Sequence, residues 1–136
     1  MEDLKVPEFN ISAFFEMTPD LFCIAGKDGF FKKVNRAVID KLGFSVQELF
    51  ENPISSFIYP EDRELTSQYR KELLTGKVLL NFENRYLTKT GDIVWLAWTS
   101  IYFPVDEVVF AIAKDITNRK QVVKEVEDKK LFELNK

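Results

Sequence analysis

Between positions 79 and 116 the chain carries three consecutive runs of strand-forming residues, and the third passes into a charged helical tail with no loop between them. The runs cover 79–89, 92–103 and 107–116. They are dense in Val, Ile, Phe, Tyr, Trp and Thr, side chains that pack well on a pleated, half-buried surface. Lys89, Thr90, Gly91 and Asp92 supply turn chemistry between the first two runs, and Phe103, Pro104, Val105 and Asp106 between the last two. Tight connections of this kind make neighbouring strands antiparallel. The third run stops at Asp115, Ile116 and Thr117, where a helix over 117–135 begins. A sheet wired straight into an outgoing helix suits the passing of a signal better than the turnover of a substrate.

Upstream, residues 1–9 read as a lead and 8–17 as a short amphipathic helix with Ile11, Phe14, Phe15 and Met17 at helical spacing and Asn10 or Ser12 as its cap. Two short strands, 21–25 and 30–34, flank the turn residues Gly26, Lys27, Asp28 and Gly29. Asn35 opens a helix that Gly43 stops, and Ser45 with Glu48 has the spacing of a capping box. Residues 52–60 are irregular between Pro53 and Pro60, and a longer helix spans 61–75 with Gly76 beyond its end. The order of elements predicts an α+β domain, one antiparallel sheet of five strands with short helices on one face and a helix at each end. The domain runs over 10–117, and 118–136 is an outgoing helix.

Composition narrows the function. The 136 residues include thirteen Phe and are 46% hydrophobic, enough for one domain with a real core. A net charge of -3 lacks the basic excess of a nucleic-acid binder. No apolar run reaches the ~18–20 residues that span a bilayer, and the N-terminus lacks a signal-peptide layout, so a cytoplasmic domain without membrane insertion is expected. A single Cys fits a reducing compartment. The absence of His removes the commonest general base and metal ligand, and with them a catalytic triad and a His-ligated haem. Nothing in the chain pairs a nucleophile with a base, so no catalysis is expected of it.

Over residues 10–120 the landmarks resemble those of a PAS domain with its C-terminal PAC motif. They are Asp28 and Gly29 in the first hairpin; Val34 and Asn35 after it; Leu42, Gly43 and Phe44; Tyr59, Pro60, Glu61, Asp62 and Arg63; Phe82, Glu83 and Arg85; Thr88 to Gly91 followed by Val94 and Trp95; and Asp115, Ile116, Thr117, Arg119 and Lys120. Their order and spacing carry the resemblance. It implies a five-stranded sheet cupping a small cavity, dimerisation, and relay to an effector through flanking helices. The implied parent is a sensor histidine kinase of a two-component phosphorelay whose catalytic part is absent from this chain. A diguanylate cyclase or a transcription regulator is an alternative effector.

Alternation along the strands places the pocket. On 79–89 the even positions Leu80, Phe82, Asn84 and Tyr86 face the core. On 92–103 Val94, Leu96 and Trp98 form one apolar face and Ile93, Trp95, Ala97, Ile101 and Phe103 the other, so the second face calls for a lid, either the 8–17 helix or a second protomer. By resemblance to the flavin-binding LOV branch, Cys23, Ala25, Tyr86, Leu96, Ala111 and Ala113 match pocket-lining positions. Leu42, Phe57, Phe82, Asn84 and Trp98 complete the candidate set. The small residues at 111 and 113 either leave room for a ligand or admit larger neighbours such as Phe57 or Trp98. Asn84 either orients a ligand or bonds to a neighbouring helix backbone or water, since a buried amide must find a partner. LOV adduct chemistry needs a Cys in the central helical segment, and 52–57 has none, so covalent flavin is disfavoured along with haem. The cofactor is left unknown; a small organic ligand is the expectation.

Asp115, Ile116 and Thr117 form the expected relay junction, with Thr117 or Asn118 as the cap of the outgoing helix. Beyond it Val122, Val123, Val126, Leu131 and Leu134 make a stripe broken by Lys129 and Lys130. That helix is expected to pair with its twin in a homodimer, with the N-terminal helix contributing, or to continue into a downstream element. The competing reading is a ligand-free PAS domain that serves only dimerisation or docking.

Overall fold

The computed structural model describes residues 9–135, so the expected lead lies, apart from Phe9, outside the described residues. The elements run α1 (Ile11–Met17), β1 (Leu21–Gly26), β2 (Phe31–Val34), α2 (Arg36–Leu42), α3 (Val46–Glu51), two 3-10 turns (Ile54–Phe57 and Pro60–Asp62), α4 (Arg63–Leu73), β3 (Leu79–Leu87), β4 (Ile93–Phe103), β5 (Val108–Asp115) and α5 (Thr117–Leu134). The fold is α+β. One five-stranded sheet has the order β2-β1-β5-β4-β3 with every neighbour antiparallel.

Local chemistry sets most boundaries. The Asn10 side chain accepts the Ala13 N–H and opens α1. Ser45 and Glu48 close a reciprocal capping box on α3. Gly43 ends α2 at φ 81, a left-handed geometry that costs glycine nothing. Proline at position 60 starts a tight turn, which shortens the expected helix over 61–75 to α4.

Asn35 is fully buried and welds the N-terminal half. Its side-chain oxygen accepts the Phe22 N–H (3.1 Å) and the Val38 N–H (3.3 Å), while its amide donates to the Phe15 carbonyl (2.9 Å) and the Asp20 carbonyl (3.0 Å). One side chain thus joins α1, the following turn, β1 and the start of α2.

The core lies between the sheet and α2, α3 and α4, and Leu21, Leu42, Leu49 and Leu96 are its most buried large residues. Each such leucine contributes about 2 kcal/mol through its removal from water. On β4 the even positions from Val94 to Ser100 are buried and the odd positions face outward.

Two expectations change here. Leu80 points to solvent, because β3 carries a bulge between Leu79 and Phe82 with Asn81 at φ 53; the extra residue reverses the alternation for one step. Among the described residues the outer face of the sheet is covered in part: Phe14 and Phe15 of α1 pack on Phe22 at 6.2 and 5.6 Å between ring centres, and the first turn of α5 lies over Trp95. Ile101, Phe103 and Phe110 stay exposed on that face.

Asn35→Ala removes a partner from four backbone groups at once. We expect a loss of about 3 kcal/mol in unfolding free energy, read by chemical denaturation. A loss no larger than that of an exposed alanine substitution would show that Asn35 is no weld.

Candidate functional site

The α4 helix and the 54–57 turn arch over the sheet without closing on it, and about 360 Å³ of space lies beneath them. Two tethers hold the arch open. At the start of α4, Asp62 takes the Arg85 guanidinium through both carboxylate oxygens (2.6 and 3.0 Å) and the Arg85 backbone N–H at 2.7 Å. Farther along, Arg70 donates to the Lys27 carbonyl of the β1–β2 turn at 2.6 Å. Small side chains at Ala25 and Ala111 keep the floor low.

Of the residues expected at the pocket, Cys23, Ala25 and Ala111 lie on the wall, as do Phe82, Asn84, Tyr86 and Trp98. Leu42, Phe57, Leu96 and Ala113 are buried in the adjoining core and are not on the wall. The reason is position along the strands. Phe57 packs on Phe44 (4.8 Å between ring centres) and Phe31 (6.2 Å), which fills the end of the cup nearest α2. The space that remains lies toward the β1–β2 turn. Strand parity says nothing about the roof, so it missed Arg63, Thr66, Ser67 and Arg70 of α4; their three- and four-residue spacing was the readable signal.

Asn84 props roof to floor. Its amide nitrogen donates to the Thr66 hydroxyl (3.1 Å) and its oxygen accepts the Trp98 indole N–H (2.9 Å). The Trp98 ring stands 5.7 Å from that of Tyr86. Burial pushes the Cys23 thiol up to about 12 and the Tyr86 hydroxyl well above the usual phenol range, so both are neutral near pH 7. A buried thiol in that state is a poor nucleophile and acts as a small apolar wall group.

The sheet passes into α5 through a dense joint. Asp115 accepts the Thr117 N–H at 2.9 Å and the Thr117 hydroxyl, and its other oxygen takes Lys41 of α2 at 2.7 Å. Burial works against the Asp115 carboxylate, but the bonds from Lys41 and Thr117 outweigh it and hold its pKa below the usual value. Ile116, not Thr117 or Asn118, occupies the cap position of α5, and no side chain caps the helix there. The Thr117 hydroxyl is engaged elsewhere, accepting the Trp95 N–H at 3.0 Å, while Ile116 donates to the Trp95 carbonyl at 2.9 Å.

A second hold lies on the outer face. Glu83 of β3 grips Arg119 (2.8 Å) and Lys120 (2.6 Å) of α5. Lys120 stands 4.7 Å over the Trp95 ring, and Arg85, the residue that holds Asp62, stands 5.0 Å from the same ring. A continuous run of contacts therefore leads from the start of α4 through Arg85 and Trp95 to α5. Beyond its first turn, α5 exposes Val122, Val126 and Leu131, and Leu131 falls about half a turn from Val122, so no clean stripe forms.

Among the described residues no group of three His, Cys, Asp or Glu side chains could hold a metal ion, and no helix is long and apolar enough to cross a membrane.

Residues 31–112 match the sequence pattern of the PAS fold. A domain of a sensory box sensor histidine kinase/response regulator from Geobacter sulfurreducens superposes with a TM-score of 0.69 at 22% identity, covering 77% of this chain and 90% of that one. The PAS domain of an HTR-like protein from Haloarcula marismortui does so with a TM-score of 0.67 at 22% identity, covering 78% and 88%. In sequence, the chain is 30% identical over 73 residues to the probable diguanylate cyclase DgcE of Escherichia coli (strain K12). That stretch is 53% of this chain and spans only 7% of the relative's length.

The Asp62–Arg85 pair makes a pH prediction. The hydrogen bond from Arg85 lowers the Asp62 pKa, so its stabilisation is present above the unfolded value of about 3.9 and is lost as pH falls through the folded value. The wild type should exceed Asp62→Asn by about 1–2 kcal/mol near neutral pH, and the gap should narrow as pH falls below the ordinary carboxylate range. Thermal melts of both proteins across that range check it; a gap that persists in acid would mean the carboxylate charge is not what holds Arg85.

Proposed function

The chain belongs to the PAS-fold family, and on that premise we propose that it is a sensory module of a larger signalling protein. A small molecule or partner engages the cavity, the sheet and the start of α4 change their relative positions, and α5 carries the change to an output domain. The observation that carries this reading is the joint itself. The arch over the cavity and the outgoing helix are both tied to the same two side chains, Arg85 and Trp95. An effect at the roof thus has a contiguous route to α5, and a ligand biases it by the difference between its affinities for the two arrangements. The cavity supports this reading over a ligand-free docking domain, since about 360 Å³ lies within the ordinary range of small-ligand sites.

For the output domain we propose a histidine kinase transmitter of a two-component phosphorelay. The likeness to the probable diguanylate cyclase favours a cyclase as the second reading. Assays of the full-length protein for ATP-dependent autophosphorylation and for GTP condensation separate the two. The chain itself is read as non-catalytic and cytoplasmic, with neither haem nor covalent flavin.

A homodimer is part of the proposal. Ile101, Phe103 and Phe110 on the open sheet face, with Ile11, Phe14 and Met17 of α1, form apolar surface that a second copy would cover. Sedimentation velocity should give a dimer for the wild type and a monomer for Phe110→Glu; a wild-type monomer at high concentration rejects this surface.

The relay has its own test. Asp115→Ala and Trp95→Leu should speed amide hydrogen exchange in the first turns of α5 about tenfold or more while leaving β1 and β5 protected, and should uncouple output from stimulus in the full-length protein. If both the exchange and the output are unchanged, α5 is not driven through this joint.

A further inference from the structure

The α4 helix turns a polar stripe toward the cavity. Arg63, Thr66, Ser67 and Arg70 share one face, and the two arginines are separated by about 10 Å along the helix axis. Arg63 donates from Nε to the Ile58 carbonyl (3.0 Å) and from Nη2 to that of Ser56 (3.5 Å). Arg70 donates from Nη2 to the carbonyls of Lys27 (2.6 Å) and Gly26 (3.4 Å). Carbonyls satisfy a few of the N–H groups but neutralise no charge. Neither guanidinium is ion-paired with a carboxylate among the described residues. The acid on the cavity wall, Asp28, is already taken by Lys32 (2.7 Å) and by the Phe30 N–H (3.1 Å). The mouth of the cavity is therefore cationic in a chain whose net charge is -3.

A second, independent observation lies deeper. Tyr86 and Ser100 are only 4% and 5% exposed and line the same space, yet neither hydroxyl has a hydrogen-bond partner among the described residues. Among the described residues every side-chain oxygen or nitrogen sealed from open space has a partner, so these two hydroxyls are not sealed, and the space their residues line is the cavity. Buried hydroxyls are ordinarily bonded, and here the group that would bond them must come from whatever fills the space. The rest of the floor is apolar, with Phe82, Val109 and Ala111 prominent. The volume is that of on the order of a dozen water molecules, which limits the occupant to a short chain or one or two rings.

Resting on the sensory reading of this cavity, we propose that its ligand is a small organic anion. The carboxylate or phosphate monoester lies between Arg63 and Arg70, the apolar body lies on the sheet, and a polar group at the far end meets Tyr86 or Ser100. A guanidinium fork matches the paired oxygens of either head group, and Thr66 and Ser67 supply further donors between the arginines.

The test is a titration followed by heteronuclear NMR on the folded chain. The probes are benzoate, adipate, hexanoate and phenyl phosphate, each run beside the neutral benzamide, adipamide, hexanamide or phenol. The proposal expects an acid to shift the amides of Thr66, Ser67, Phe82 and Asn84 saturably, and its neutral counterpart to bind about tenfold more weakly or worse. Arg63→Gln, at an exposed position, should weaken the acid about tenfold and leave the neutral compound unchanged. Arg70→Lys, which keeps the charge and the tether but loses the fork, serves as the second variant and should also weaken the acid. The carboxylate and phosphate arms decide between the two head groups. Neutral compounds binding as well as acids, or acids indifferent to both variants, overturn the anionic assignment while leaving a ligand-binding cavity. Acids that shift only amides elsewhere also overturn it. No shift at the cavity with any probe of either charge overturns the assignment and the ligand-binding reading together.

Discussion

The grip of Asp62 on Arg85 organises the rest of the site. Strand β3 is one edge of the sheet, and an edge presents unpaired backbone groups. Here the segment before α4 covers them. Ile58 forms a bridge with Tyr86, the Tyr59 N–H donates to the Arg85 carbonyl, and the Asp62 carboxylate takes the Arg85 N–H. The same carboxylate holds the guanidinium, so one acid both closes the edge and fixes where α4 begins. The guanidinium is left with its faces free to meet the rings of Tyr59 at 4.3 Å and Trp95 at 5.0 Å. A lysine could hold the charge but not the two-point geometry or the planar contacts.

The cavity persists because its roof has no means of collapsing. An apolar helix in place of α4 would sink onto the floor and fill it. The face that α4 presents is instead Arg63, Thr66, Ser67 and Arg70, and burying that face dry would strand polar groups. The Asn84 prop fixes the height from within, because shortening the gap would break its bonds to Thr66 or Trp98. A dry void of this size would cost on the order of 9 kcal/mol at ~24 cal/mol per Å³, most of the stability of an ordinary domain. The space is tolerable because the arch does not close on the sheet, so water or a ligand can fill it.

The strands, the turn glycines and the caps at Asn10, Asn35 and Ser45 were legible because each is decided within a few residues. The face of β3 that carries Phe82, Asn84 and Tyr86 was legible for the same reason, as alternation is local. Where the sequence misled, a longer-range contact decided. Leu80 turned outward because Asn81 tolerates a left-handed backbone and makes the bulge. Thr117 looked like a cap but is spent on Trp95, twenty-two residues earlier. The fourfold bonding of Asn35 and the bridge from Glu83 to α5 are likewise invisible to any window of sequence. The roof went unread although its spacing was regular, because a polar helical stripe usually means solvent, and only the arch over the sheet makes it the lining of a cavity.

The energies at the joint are of the size a switch requires. An exposed helix such as α5 is marginal by itself, so its position depends on what holds its first turn. The Arg119 and Lys120 contacts with Glu83 are surface ion pairs, worth up to about 1 kcal/mol each, and the Lys120–Trp95 contact adds a similar amount. Asp115 with its bonds to Thr117 and Lys41 contributes somewhat more, because it is less exposed. The sum is a few kcal/mol. Inverting a two-state balance from about 1:99 to 99:1 takes about 5.5 kcal/mol of differential affinity, within reach of one small ligand with a charged head group. A joint built from a large apolar interface would hold α5 too firmly for such a ligand to move it. A joint much weaker than this one would let the helix wander whether or not the cavity is filled. On the proposed relay, a few charged contacts around one tryptophan, in place of hydrophobic packing, would leave the outgoing helix responsive to so small a change beneath α4.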